Sequence, residues 1–466
     1  MRTRRCIESG LPLMVTIASL LVCLVGPHVP VVMAATLTVP SLIGDHMVLQ
    51  RGIAAPIWGT ANPGAAVEVT FGDQATQTTI ANPDGTWRVD LPSMAATTSP
   101  GTMTITSGGQ ALIFTDVQVG EVWGCSGQSN MEFSLASSDG GSVAVADAPY
   151  HNLRLFRVPG NTTPDQVVWK VSDAATAGAF SAVCYYFGRE LSERLNVPIG
   201  LIQSTKSGTP IEQWAHVSGP RSGVLYESKI KPLMPYAIRG FLWYQGEDNS
   251  KDSTNVYLAK LQALIDEWRT AWDQGDFPFG IVQLPFGRKP ATQEAQLQAF
   301  LTVPQTFLAV TSDLPALGGH AGHPANKHPV GLRLAIGARA IVYGDGTEPV
   351  GPIRDPAASY VSGGTVVIGF THVGGGLVTG SEWQPAGDPA PFRVAGSDGR
   401  FYAATAMIVG NTVEVSSPSV LNPVSVRYTY TYGMGNLYSD VSIPIEGGAR
   451  TYTRLPASPF ALTFGP

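Results

Sequence analysis

The chain has 466 residues, of which only 14% are charged, and its 35 acidic and 29 basic residues give a formal net charge of −6. This mildly acidic balance argues against nucleic acid or an anionic membrane surface as a partner. Four cysteines in a chain of this length exclude a disulfide-built scaffold, and the length suggests about three domains.

The N-terminus has the pattern of a secretory signal peptide. Basic residues at the start precede an almost entirely apolar run at 11–26, and a small-residue cleavage pattern ends at Ala34. The apolar run is short for a membrane anchor. We therefore expect residues 1–34 to be removed on export to the periplasm or the medium. No later segment resembles a transmembrane helix.

Residues 35–115 show short alternating runs, at 65–71, 86–91 and 102–106, separated by turn residues. Strict alternation over four to eight residues is typical of half-buried strands. Helical periodicity is absent from this region. We predict an N-terminal β-sandwich-like domain.

Residues 116–345 alternate between strand-like and helical runs. The strand-like runs lie at 120–124, 199–203, 238–244, 279–283 and 306–310, and the helical ones at 181–191, 257–272 and 327–342. This alternation predicts an α/β domain, in which a parallel sheet carries helices on both faces. We expect residues 285–299 to include a loop beside the site.

Residues 346–466 return to a strand-like pattern. Alternating runs at 365–368, 412–416 and 425–430 are separated by glycine-rich turns. This pattern predicts a second β domain at the C-terminus.

The segment 121–132, EVWGCSGQSNME, carries the first chemical signal. An apolar run ends in a small-residue turn at Ser129, and the residues that follow can start a helix. A serine on such a turn presents its hydroxyl beside free backbone N–H groups, as a nucleophile requires. Met131 stands where a G-x-S-x-G elbow has its second glycine, so the ordinary α/β-hydrolase fold is disfavoured.

Polar, glycine-containing loops follow the other predicted strands, at 204–210, 245–249 and 312–324. In an open α/β sheet these loops meet beyond the carboxyl ends of the strands. They supply the remaining parts of a serine hydrolase site. We predict His323 as the general base. We predict an oxyanion hole made by the N–H groups of Ser129 and Gly208 and the side-chain amide of Asn249.

Four sequence blocks resemble those of the SGNH hydrolase superfamily, and more closely those of sialate O-acetylesterases and related carbohydrate acetylesterases. They are CSGQSNM at 125–131, SGTPIEQW at 207–214, WYQGEDN at 243–249 and HPANK at 323–327. The resemblance implies a flavodoxin-like parallel sheet and an exported esterase that removes O-acetyl groups from sugars, sialic acid in particular. It implies the same roles for Ser129, Gly208, Asn249 and His323, and it requires no cofactor.

Two departures from the family pattern concern the site. Ser207 replaces the first of two adjacent glycines, and position 320 is histidine where the superfamily has the aspartate of D-x-x-H. This block therefore does not supply the orienting acid. Glu247 is our first candidate, with Asp313, Asp248 or a dyad oriented by a backbone carbonyl as alternatives.

Three further residues are candidates for substrate binding: Gln128, Gln245 and Trp214. A tryptophan beside an oxyanion loop can line a pocket, although core packing is its more usual role. The histidines at 320, 323 and 328 lack a usual zinc spacing, so we expect no metal.

The two cysteines that follow the leader are Cys125 and Cys184, and they can form one disulfide or remain two buried thiols. Two other functions stay open at this level. One is an acetylesterase acting on plant polysaccharides such as xylan or pectin, and the other is a glycan-binding protein without activity.

Overall fold

The computed structural model describes residues 37–285, 287, 289–315, 322–382, 384–430, 433–444 and 450–465. The predicted signal peptide, residues 1–34, lies outside the described residues. Within the described part, no helix is both long and apolar enough to span a membrane. Export therefore stays a prediction from the sequence.

The N-terminal region is built from short strands. They are Val48–Gln50 (β1), Ala55–Thr60 (β2), Ala66–Phe71 (β3), Gln77–Ile80 (β4), Thr86–Leu91 (β5), Thr97–Ser107 (β6) and Gln110–Gly127 (β7). Strand β7 pairs with β6 and β1 in its first part and with central strands in its last part. The predicted boundary between residues 115 and 116 falls inside this strand, and the division into domains stays a prediction.

The central sheet continues from β7. Its other strands are Tyr150–Val158 (β8), Lys170–Ser172 (β9), Ile199–Thr205 (β10), Gly240–Tyr244 (β11), Phe279–Gln283 (β12) and Thr306–Val310 (β13). The order is β13-β12-β11-β7-β10-β8-β9, and all neighbours are parallel except β9, which is antiparallel to β8. The predicted parallel sheet is confirmed.

Helices cover both faces of this sheet. The α-helices of the described residues are Ser129–Glu132 (α1), Gly141–Ala146 (α2), Ala182–Leu195 (α3), Thr254–Trp272 (α4), Pro290–Thr302 (α5) and His328–Ile341 (α6). Phe241 and Trp243 of β11 pack in the core that includes α4 and α5, whereas Leu242 and Tyr244 pack in the core that includes α3 and α6. Alternate side chains of a strand point to opposite faces, so each strand serves both cores.

The stretch 285–299, expected to include a loop beside the site, is mostly helical. Residues 290–302 form α5, which begins with Pro290 at a position where proline is favoured. Glutamine side chains of α5 bind backbone near the end of β12: Gln296 accepts from Leu284 N at 2.9 Å, and Gln293 donates to Leu284 O at 3.0 Å. The sequence pattern missed this helix because its buried face is largely polar.

The C-terminal region is β-rich, as predicted. Its strands are Ile353–Ser362 (β14), Thr365–Thr371 (β15), Leu377–Val378 (β16), Phe392–Ala395 (β17), Phe401–Val409 (β18), Thr412–Ser416 (β19), Ser425–Tyr428 (β20), Tyr438–Pro444 (β21), Arg450–Pro456 (β22) and Phe460–Thr463 (β23). Seven form one antiparallel sheet and three another. The region contacts the central sheet, since Gln283 donates to Ser458 at 2.9 Å.

Candidate active site

The candidate nucleophile stands at the topological switch point of the central sheet. Strand β7 lies between β10 and β11, and Gly127, Thr205 and Tyr244 are in register at the carboxyl ends of the three strands. Ligands of open α/β sheets bind at such a point, because the following loops diverge and leave a crevice. Ser129 follows Gly127 by two residues and lies at this edge.

The turn before Ser129 requires glycine. Gly127 has φ +134°, and a Cβ there would lie 2.1 Å from the carbonyl oxygen of Tyr244. The backbone of Gln128 instead donates to that oxygen at 3.1 Å. Helix α1 then begins at Ser129, so the side chain of this residue is fixed at a strand-to-helix turn, as the sequence predicts.

Ser129 and His323 are in hydrogen-bonding contact, with Ser129 Oγ 2.8 Å from His323 Nε2. The two residues are 194 positions apart in the chain, so the folding of the sheet brings them together. Ser129 is partly exposed. This is the separation that a general base needs to accept a hydroxyl proton.

Backbone donors face the same edge. In the described part of the chain, the N–H groups of Ser129 and Gly208 have no hydrogen-bond acceptor. Gly208 has φ +68° and open space where a side chain would begin. The loop is held by Glu132, whose Oε2 accepts from Ser207 N at 2.7 Å and from Ser207 Oγ at 2.5 Å. The N–H groups of Ser129 and Gly208 thus have no competing acceptor among the described residues, and their role as oxyanion donors stays a prediction.

Asn249 is hydrogen-bonded to the loop after β10 and within its own loop. Its Nδ2 donates to Glu212 Oε2 and to Asp252 Oδ2, both at 3.0 Å, and its Oδ1 accepts from Ile211 N at 2.9 Å. Both amide hydrogens are therefore used by carboxylates, and the side chain is buried. Asn249 ties its own loop to the loop after β10, and its role as a third oxyanion donor stays a prediction.

Glu247, the first candidate for the orienting acid, is hydrogen-bonded to the nucleophile turn. Its two oxygens accept hydrogen bonds from Gln128 Nε2 and from Asn130 Nδ2, the latter at 2.5 Å. These amides belong to the residues on either side of Ser129. Glu247 therefore holds the nucleophile turn. The donors of these two hydrogen bonds are Gln128 and Asn130, and neither is His323.

The other acid candidates separate clearly. Asp313 is buried in an ion pair with Arg333, at 2.7 and 2.8 Å, so its carboxylate is already engaged. Asp248 is exposed, and its charge interacts with that of His323. Burial and the charge of Glu247 raise the pKa of Asp248, whereas the charges of Lys289 and His323 lower it. The identity of the orienting acid stays a prediction, and Asp248 is the candidate whose charge interacts with that of His323.

The three candidate substrate-binding residues are all fully buried, with 0% exposure for Gln128, Gln245 and Trp214. Trp214 donates to Thr209 Oγ1 at 2.9 Å and packs edge-on against Trp243. Gln245 donates to Asn249 Oδ1 at 2.8 Å. All three side chains are thus covered by other residues, and their contact with a sugar stays a prediction.

Comparison with known proteins identifies the family of the chain. A family model described as "Carbohydrate esterase, sialic acid-specific acetylesterase" matches residues 119–338. The sialate O-acetylesterase of Homo sapiens is 32% identical over 378 residues, which cover 66% of this chain and 71% of that protein. The protein of the same name from Mus musculus is 31% identical over 401 residues, covering 66% and 73%. The chain belongs to the sialate O-acetylesterase family.

A solved structure extends the likeness. The crystal structure of a carbohydrate acetylesterase from Xanthomonas citri is 34% identical, with a TM-score of 0.80, and covers 92% of this chain and 99% of that one. The fold of the chain, a central parallel-containing sheet flanked by β-rich regions, is thus that of a carbohydrate esterase. As a member of the sialate O-acetylesterase family, the chain is a carboxylic ester hydrolase.

The esterase site also contains residues to which the sequence analysis gave no role. Glu132 binds the loop of Gly208, and Asn130 and Lys327 lie beneath Ser129 and His323. All three stand in or directly beside the family blocks, which was the available signal. Their roles depend on which side chain each one meets, and the sequence does not contain that information.

No group of three His, Cys, Asp or Glu side chains within the described ranges is placed to hold a metal ion. His320 lies outside the described residues. His328 begins α6 and packs edge-on against Tyr186, with 4.9 Å between the ring centres. The expectation that this esterase uses no metal stays a prediction.

Proposed function

We propose that the chain is an exported serine esterase that removes O-acetyl groups from sugars, sialic acid in particular. The observation that carries the proposal is the 2.8 Å contact between Ser129 Oγ and His323 Nε2 at the carboxyl edge of the sheet. The sugar is taken from the family description and from the names of the relatives. The membership of the chain in a carbohydrate esterase family supports the acetyl chemistry.

The reaction would follow the serine-hydrolase sequence. Ser129 Oγ attacks the acetyl carbonyl while His323 Nε2 takes its proton, and the N–H groups of Ser129 and Gly208 bind the oxyanion. His323 then gives the proton to the departing sugar oxygen. Water, activated by the same imidazole, attacks the acetyl-enzyme and releases acetate. Asp248 is the carboxylate that we assign to orient His323, in place of Glu247.

A substrate panel tests the proposal on the purified chain. Acetate release is measured from O-acetylated sialic acid, acetylated xylan, acetylated pectin and p-nitrophenyl acetate, with Ser129→Ala as the matched control. We expect the highest kcat/KM on the sialic acid ester and no release by Ser129→Ala. A higher kcat/KM on xylan or pectin would show that the substrate is a plant polysaccharide and not sialic acid. If the wild type hydrolyses none of the esters, the esterase proposal fails and a glycan-binding protein without activity is the remaining alternative.

A further inference from the structure

Lys327 is a fully buried lysine directly before α6, with 0% exposure. Its Nζ donates to Asn130 Oδ1 and lies 5.0 Å from the ring centre of Phe133 and 5.3 Å from that of Tyr244. A buried ammonium is unfavourable unless other groups compensate its charge. Burial lowers the pKa of Lys327 to about 7, and the charge of Glu247 opposes this decrease.

Asn130 connects this lysine to both reacting residues. It is the residue after Ser129, and its Nδ2 donates to Gly322 O at 2.6 Å and to Glu247 Oε1 at 2.5 Å. Gly322 directly precedes His323, and Lys327 follows His323 by four residues. The two ends of the Asn130 amide therefore hold both sides of the segment that carries the base.

Glu247 completes the connection on the nucleophile side. It accepts from Asn130 and from Gln128, the two residues that flank Ser129. A positive group and a negative group thus lie at opposite ends of one buried amide. The arrangement resists rotation of that amide, since reversing it would place its N–H groups against Lys327 and its oxygen against Glu247.

We propose that Lys327 is a positioning residue of the esterase: through Asn130, and with Glu247 as its counter-charge, it holds the His323 segment in register with Ser129. The inference rests on the proposed function, because the register matters only if the serine and the histidine react. A small misplacement of a base can cost about 100-fold in rate. Loss of Lys327 should therefore lower kcat with little effect on KM.

A double-mutant cycle tests this coupling. We compare Lys327→Met, Glu247→Gln and the double variant by kcat and KM on p-nitrophenyl acetate, and by the rate of labelling with a fluorophosphonate. Each single variant should lose about 10- to 100-fold in kcat. The fold loss in kcat of the double variant should be smaller than the product of the two single losses. Each single variant leaves one buried charge without its partner, whereas the double variant removes both charges.

Lys229→Met is the matched control. Lys229 is also a buried lysine, but it donates to the carbonyl oxygens of Pro159 and Thr162, at 2.9 and 2.8 Å. We expect its kcat per folded molecule to stay within about threefold of wild type, since no bond of Lys229 reaches Asn130 or His323. Circular dichroism and thermal unfolding of every variant identify losses that come from unfolding.

Three results would overturn the inference: unchanged kcat in Lys327→Met, single losses that multiply in the double variant, or an equal loss of kcat in Lys229→Met. The proposed function fails differently, through a wild type that is neither labelled nor active or through a Ser129→Ala variant that remains active. A labelled, active wild type together with a normal Lys327→Met refutes only the role of Lys327.

Discussion

The orienting acid gives the sharpest prediction, because adjacent carboxylates have different partners. Asp248→Asn removes the charge that interacts with His323, whereas Glu247→Gln removes the acceptor of the Gln128 and Asn130 amides. Replacing a buried triad acid by its amide lowers kcat by about 10⁴-fold. Asp248 is exposed, and solvent weakens its interaction. We therefore expect a loss of about 10²- to 10³-fold for Asp248→Asn, or about 2.7–4 kcal/mol of barrier.

The pH–rate profile separates the two carboxylates. A carboxylate beside an imidazole favours its protonated form, so Asp248→Asn should move the acid limb of kcat/KM to lower pH. In Glu247→Gln the loss should be about 10- to 100-fold, from misplacement of the turn, and the acid limb should stay in place. The assay is hydrolysis of p-nitrophenyl acetate between pH 4 and 9. An unchanged profile with near-normal kcat in Asp248→Asn, together with a larger loss and a shifted limb in Glu247→Gln, would refute this reasoning and restore Glu247 as the acid.

Three further predictions concern the support of the site. Glu132→Ala should lower kcat about tenfold by releasing the loop of Gly208, measured by acetate release, and wild-type kcat would contradict the assigned brace. Burial lowers the pKa of Lys327 from its ordinary 10.5 to about 7 in the folded chain. Between pH 7 and pH 10.5 the unfolded chain therefore binds more protons than the folded chain, and the free energy of unfolding rises with pH. Urea unfolding at pH 6 and pH 9 should show wild type gaining about 3 kcal/mol relative to Lys327→Met, and an equal change in both would contradict the buried charge. Cys125 and Cys184 are joined in a disulfide with a sequence separation of 59. Thiol titration of the denatured chain without its leader should therefore find no free thiol, and Cys125→Ala/Cys184→Ala should lose about 4 kcal/mol of stability, whereas two free thiols would refute the bond.

The sequence was sufficient for the contacts that depend on strand ends. Ser129, Gly208 and His323 each follow a parallel strand, and the register of Gly127, Thr205 and Tyr244 brings the first two loops to one edge. The order of apolar runs was enough to predict that sheet. A family block shows which polar residues are present, and here it singled out Ser129 and His323, whose side chains are 2.8 Å apart in the structure.

The roles within the loop after β11 could not be read in this way. Glu247 accepts from the two amides beside Ser129, and Asn249 donates to the carboxylates of Glu212 and Asp252. The charge of Asp248, which lies between them in the chain, interacts with that of His323. A short 3-10 helix at Glu247–Asn249 turns successive side chains in different directions. Their partners lie far away in sequence. Spacing alone therefore does not distinguish an acid that orients His323 from a residue that holds a loop in place.

Covalent labelling of Ser129 tests the central claim most directly. The purified chain is treated with a fluorophosphonate, and the modified peptide is located by mass spectrometry, with Ser129→Ala and His323→Ala as matched variants. The account predicts one adduct on Ser129, none in Ser129→Ala, and labelling slowed by about 10³-fold or more in His323→Ala. An adduct on another residue, or full-rate labelling without His323, would contradict the assignment of this pair as nucleophile and base.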